Sequence, residues 1–207
     1  MIALATLAAV CSLGQVSATD FFPIEVGMKW SYEISGDGVG SYTQLVGESI
    51  DLDGKTLLPV LVKNGAKVTQ TTFYDVRSSG VYILGNDPKK FLENPQPVFM
   101  LDAKGAKWDF VGPSPYEDDK ASGMTIKGQS KLVNPRLVLG EKRECLEVKA
   151  EIKIGLSQST ATSFKQTSTY AKGIGLVEMD QTAQYGKRSV VTKVKLLKFE
   201  GSKAGGL

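Results

Sequence analysis

From Lys29 onward the chain alternates apolar and polar side chains with a period of two, and β-branched and aromatic residues fill most of the apolar positions. In an extended strand successive side chains point to opposite faces, so this alternation predicts half-buried β-strands. The first two, Lys29 to Ser35 and Ser41 to Ile50, are joined through Gly36-Asp37-Gly38-Val39-Gly40, a run permissive enough to reverse the chain. Asp51-Leu52-Asp53-Gly54 then predicts a tight hairpin turn, with Lys55 to Val62 as the returning strand. Further strands are predicted at Lys67 to Val76, Val81 to Leu84, Val98 to Leu101, Lys107 to Val111, Met124 to Leu132, Glu144 to Ile154, Ser159 to Tyr170, Leu176 to Tyr185 and Ser189 to Phe199.

Two stretches interrupt the alternation. Asn86 to Pro97 carries Pro88, Pro95 and Pro97, and Gly112 to Ser122 carries Pro113, Pro115 and the acidic run Glu117-Asp118-Asp119, so both are predicted as long loops. No segment after the leader keeps apolar residues at helical spacing over three turns. One short helical turn is predicted at Pro88 to Asn94. The fold class is therefore all-β with little helix: an antiparallel meander forming a barrel or half-barrel, because free sheet edges invite association and closure removes them. A two-sheet sandwich has the same periodicity.

Length and composition sharpen this into one domain. At 207 residues, with 42% hydrophobic and 23% charged side chains, the chain suits a single β-rich domain over residues 19–200, and residues 201–207 read as a disordered tail. Ile2 to Val10 is an apolar stretch too short to cross a bilayer, and Val16-Ser17-Ala18 follows it as a small-residue cleavage site. Residues 1–18 are thus predicted to be a signal peptide, the mature chain starting near Thr19 or Asp20. Export to the periplasm or beyond follows, with no transmembrane span in the mature chain. Cys11 ends the apolar stretch and offers the alternative of a lipid anchor, but the bulky Val10 sits where a lipobox needs a small residue. Cys145 is the other cysteine, and alone it makes no internal disulfide.

Charge and chemistry mainly exclude. Twenty-five Lys and Arg against 22 Asp and Glu give a formal charge of +3, spread along the chain rather than gathered in a basic block, so no nucleic-acid partner is predicted. There is no histidine, which removes Ser-His-Asp, Cys-His and histidine-based metal chemistry. Phosphate-loop, dinucleotide-binding and CxxC motifs are also missing. Glu117, Asp118 and Asp119, with Asp102 or Asp109, could supply a pair of carboxylates for glycoside chemistry, but a solvated loop tip explains them more simply. The Asp51 to Gly54 turn lacks the rest of a calcium loop, and Cys145 lies in an alternating strand with nothing to activate it. No catalytic residue, metal or cofactor is assigned, and the protein is read as a non-enzyme.

Aromatic residues remain. Most are expected in the core, where rings dominate packing. In an incompletely filled barrel, Trp30, Tyr32, Phe73, Tyr82, Phe99, Trp108 and Phe110 would instead line a cavity for a lipid or small apolar ligand. The Ser/Thr/Gln-rich stretch from Ser157 to Thr169 offers a second possibility, a hydroxylated face for carbohydrate or another surface.

Two motifs carry a resemblance. Phe22-Pro23-Ile24-Glu25-Val26-Gly27-Met28-Lys29-Trp30-Ser31-Tyr32 resembles the FPxxxGxxWxY opening of a loose group of uncharacterised exported or lipid-anchored bacterial proteins, and Tyr170 to Val177 resembles their YAxGxGLV segment. The resemblance implies export and a β-rich domain, and no activity or ligand. At the level of fold plan the chain is also similar to periplasmic lipoprotein carriers, whose incomplete barrels hold acyl chains. Two functions are carried forward: an envelope protein binding an apolar ligand or acyl chain inside the barrel, and an envelope interaction module acting through its long loops and its Ser/Thr-rich strand.

Overall fold

The computed structural model describes residues 16–52, 54–103, 105–115, 123–155 and 162–202. Cys11, most of the leader, the acidic run 117–119 and most of the C-terminal tail lie outside the described residues.

A four-residue helix, α1 (Ala18–Phe21), precedes fourteen strands: β1 (Lys29–Gly36), β2 (Gly40–Val46), β3 (Ile50–Leu52), β4 (Lys55–Leu57), β5 (Pro59–Asn64), β6 (Lys67–Arg77), β7 (Gly80–Gly85), β8 (Gln96–Met100), β9 (Lys107–Pro113), β10 (Gly123–Val138), β11 (Glu141–Ile154), β12 (Thr162–Ala171), β13 (Gly175–Tyr185) and β14 (Arg188–Glu200). Twelve of them form one antiparallel sheet in the order β8-β7-β6-β5-β2-β1-β14-β13-β12-β11-β10-β9. The predicted all-β meander is the observed fold. Its two edge strands are consecutive in the chain, so the short connection from β8 to β9 draws the edges together and the sheet curls into a nearly closed barrel. At the seam, the Ser130 hydroxyl accepts a hydrogen bond from the Ala106 N–H at 3.1 Å and donates one to the Met100 carbonyl at 2.5 Å.

Strand boundaries follow burial. In β10, Met124, Ile126, Gly128 and Ser130 are buried while Thr125, Lys127, Gln129 and Lys131 are exposed, an amphipathic ribbon whose register is set by its apolar face. Gly128 has a further role, because a Cβ there would stand 2.0 Å from the Trp108 indole. The ring lies across the bare backbone of the neighbouring strand.

Three expectations need correction. The returning strand Lys55 to Val62 is two strands: β3 and β4 pair as a separate hairpin, and the main sheet resumes at β5 beside β2. The Pro88 to Asn94 segment forms turns rather than helix, with the Lys90 N–H bonded to the Asp87 carbonyl at 3.0 Å. The β10 and β11 strands extend well past Leu132 and before Glu144, meeting at a turn where Leu139 and Gly140 both have positive φ, 49° and 89°. Asn134-Pro135 is absorbed as a bulge, since the pairing skips from Val133 to Arg136.

The inner face of the barrel is packed with side chains. One cluster joins Met28, Trp30, Tyr32, Val46, Val60, Val177, Val194 and Leu196, and a second joins Phe21, Val81, Phe99, Trp108, Leu146, Val148 and Tyr170. Tyr74 and Leu176 pack against both. A third cluster, Phe110, Met124 and Ile126, fills the far end of the long β9 to β11 ribbon.

Candidate functional site

The outer face of the sheet, from β9 to β14, carries a broad concavity. Cross-strand register builds it as two ladders. One runs Lys107, Gln129, Lys149, Thr167, Asp180, Lys193, and the other runs Lys127, Glu151, Lys165, Thr182, Val191, with Asp109 opposite Lys127 at its β9 end. Between them lies the row Gly128, Ala150, Gln166, Gln181, whose backbone forms the floor of a trough crossing the strands. Its volume is about 730 Å³. Six strands at their usual spacing make it roughly 24 Å long.

The trough is basic. Five lysines and two carboxylates line it, a surplus of three positive charges that equals the +3 of the whole chain. Lys149 pairs with Glu147 at 3.5 Å and Lys165 reaches Glu151 at 4.0 Å. Among the described residues Lys107, Lys127 and Lys193 form no ion pair. A smaller recess of about 360 Å³ continues the trough towards the barrel seam through Lys107, Gln129 and Lys149, and adds Lys131 and Glu147. Burial raises the Glu147 carboxyl, yet hydrogen bonds and charge from Lys131 and Lys149 outweigh it and hold the group below the usual carboxylate range. Glu147 therefore stays ionised and fixes one end of the basic surface.

A smaller and more polar concavity lies on the inner face of the barrel. Tyr42, Gln44, Val60, Val62, Gln70, Thr72 and Tyr74 line a concavity of about 260 Å³ on β2, β5 and β6. The Gln70 amide donates to the Thr72 hydroxyl at 3.0 Å, and burial pushes the Tyr42 phenol up to about 12.

The seven aromatic residues singled out from the sequence are placed elsewhere. Trp30, Tyr32, Phe99, Trp108 and Phe110 do face inward, but as packed core. Trp30 stacks on Phe199 and its indole N–H donates to the Ile174 carbonyl at 2.5 Å, while the Tyr32 hydroxyl donates to the Leu176 carbonyl at 3.0 Å and its ring stacks on Tyr42. Phe99 packs on Tyr170 and Phe22. Among the described residues the buried Trp108 indole N–H has no hydrogen-bond partner. Phe73 and Tyr82 lie on the opposite face: Phe73 next to the inward Thr72 and against Phe91, Tyr82 between the inward Val81 and Ile83 with the Arg77 guanidinium 5.2 Å from its ring centre. None of the seven lines the trough or the inner concavity. Sequence reasoning missed the trough itself, apart from Lys165, Gln166 and Thr167 within the Ser/Thr-rich stretch.

The remaining candidates are also located. Asp109 is exposed on the outer face of β9. Cys145 is fully buried with its thiol 3.4 Å from the Arg143 carbonyl. Leu52 pairs with Lys55, and the Asp51 carboxylate accepts a hydrogen bond from the Thr56 hydroxyl of the partner strand at 2.8 Å. Among the described residues no group of three metal-ligating side chains gathers, and no helix is long and apolar enough to cross a membrane.

No family model matches the chain, and no curated protein matches it. Two solved structures are similar in outline. A candidate lipoprotein from Parabacteroides distasonis aligns with a TM-score of 0.48 and 10% identity over 87% of this chain and 98% of its own. A candidate exported protein with a YmcC-like fold from Bacteroides fragilis aligns with a TM-score of 0.44 and 11% identity over 87% of this chain and 99% of its own. Likeness at this level carries no argument about function.

Proposed function

We propose that the protein is an exported, non-catalytic binding module of the cell envelope that holds an extended acidic glycan in the outer trough. The observation that carries this reading is the crossing of six strands by a trough lined by five lysines and two carboxylates, in which Lys107, Lys127 and Lys193 form no ion pair among the described residues. Lysine ammonium groups suit the carboxylates or phosphates of such a polymer, and Gln129, Thr167 and Thr182 offer hydrogen bonds to its hydroxyl groups. Export rests on the apolar leader. The trough has no aromatic side chain on which a base could stack, which favours a glycan over a single-stranded nucleic acid.

The alternative of an apolar ligand inside the barrel finds less support. The inner concavity is below the roughly 300 Å³ at which ligand pockets begin, and its lining is rich in amide and hydroxyl groups. Titration of the purified protein with polygalacturonate, a carboxylated polymer, and with neutral dextran tests the proposal. Binding to the first that weakens steadily as salt is raised, with none to the second, is expected. Equal binding to both, salt-independent binding, or binding to neither would overturn it.

A further inference from the structure

The small-residue motif Val16-Ser17-Ala18 looks like the end of a signal peptide, yet the fold uses those residues. Ala18 and Phe21 are fully buried, and Val16 packs against the cluster formed by Val81, Phe99, Leu146 and Tyr170. The Ser17 hydroxyl caps α1, accepting from the Thr19 N–H at 3.3 Å, and the Ala18 N–H donates to the Ser78 carbonyl at 2.8 Å. On the other side of α1 the Asp20 carbonyl accepts from the Gly173 N–H at 2.7 Å, and the Asp20 carboxylate lies 3.7 Å from the Lys172 ammonium. Phe22 then sets its ring against Tyr74, Phe99 and Tyr170. Residues 16–22 thus tie the β6–β7 turn to the β12–β13 turn across one end of the barrel.

A cut after Ala18 would remove the residue that fills this seat, delete the cap, and leave the Ser78 carbonyl without its donor. A disposable leader has no reason to satisfy packing, capping and hydrogen bonding at once, whereas a native segment does. We infer that Val16–Phe22 is a structural plug retained in the mature protein, and that any processing occurs on the N-terminal side of Val16 rather than after Ala18.

The inference is independent of what occupies the trough. Its test uses the full-length chain expressed in an exporting bacterium, with the product recovered from the envelope fraction. Intact mass and N-terminal sequencing are expected to place the first residue at or before Val16. A start at Met1 would support retention of the plug while removing the leader reading, and a start at Thr19 or Asp20 overturns the inference. Hydrogen exchange on the same product supplies the second readout. The Ala18 amide is expected to exchange at least about 100-fold more slowly than in a free peptide, as for a bond that opens only with part of the fold. Exchange at the free-peptide rate would show a retained tail rather than a plug, and would overturn the inference equally.

Discussion

Replacing Trp30 with alanine is expected to lower the free energy of unfolding by about 3–5 kcal/mol, the range for truncating a buried aromatic side chain. Trp30 is 5% exposed, stacks on Phe199 with ring centres 5.6 Å apart, and donates its indole N–H to the Ile174 carbonyl. Removing the ring opens a cavity between β1 and β14 and orphans a carbonyl in the turn before β13. The two losses add because the interior relaxes only in part. A tryptophan lining a hollow for a ligand would already lack packing partners on one side, so its truncation would cost far less. Urea unfolding of the two proteins with equal slopes decides between these cases. A loss below about 1 kcal/mol, near that of a single methylene group, would mean that this part of the barrel is not packed as described.

The second large effect is on binding. Reversing Lys107, Lys127 and Lys193 together to glutamate turns the trough's surplus of three positive charges into a deficit of three. None of these lysines has an ion-pair partner among the described residues and all are exposed, so stability should change by no more than about 1 kcal/mol per site, the upper cost of setting a glutamate opposite Asp109 or Asp180. Affinity for polygalacturonate should fall by about 100-fold, taking roughly 1 kcal/mol for each exposed charge contact and 1.4 kcal/mol per tenfold. Lys67, Lys89 and Lys90, exposed on the other half of the molecule, give the control. Reversing those three changes net charge by the same amount, so a comparable loss there would show that the trough has no special part in binding.

The structure clarifies why some features could be read from the sequence and others could not. Period-two alternation marks a strand wherever one face is buried, and β10 from Met124 to Lys131 is an example in which each inward residue is covered and each outward one is wet. The signal fails beyond Lys131, because the bulge between Val133 and Arg136 shifts the register of β10. Leu132 and Leu137 are 38% and 77% exposed, and Pro135 sits in a bulge. Val133 and Val138 pack on the core while Leu132, Leu137 and Leu139 are exposed, so the apolar positions from Val133 to Arg143 keep no period of two and do not read as a strand pair.

Aromatic type was equally ambiguous. Residue identity favours packing but leaves cavity lining open, and only the register shows Phe73 and Tyr82 on one face with Trp30, Tyr32, Phe99, Trp108 and Phe110 on the other. The basic trough was hidden for a different reason. Its lysines are spread from Lys107 to Lys193 without a local block, and charge along the chain looks evenly mixed. Antiparallel pairing of consecutive strands brings these positions into adjacent rungs about 4.8 Å apart. A residue count along the chain cannot show such clustering, whereas a correct strand register does.

The most direct measurement of the central claim is lysine footprinting by acetylation, with and without polygalacturonate, read by mass spectrometry at each lysine. The account predicts that the polymer protects Lys107, Lys127, Lys149, Lys165 and Lys193 together, and leaves Lys67, Lys89 and Lys90 reacting as in the free protein. Protection of the second set, or uniform protection of both, would place the binding surface elsewhere and contradict the account.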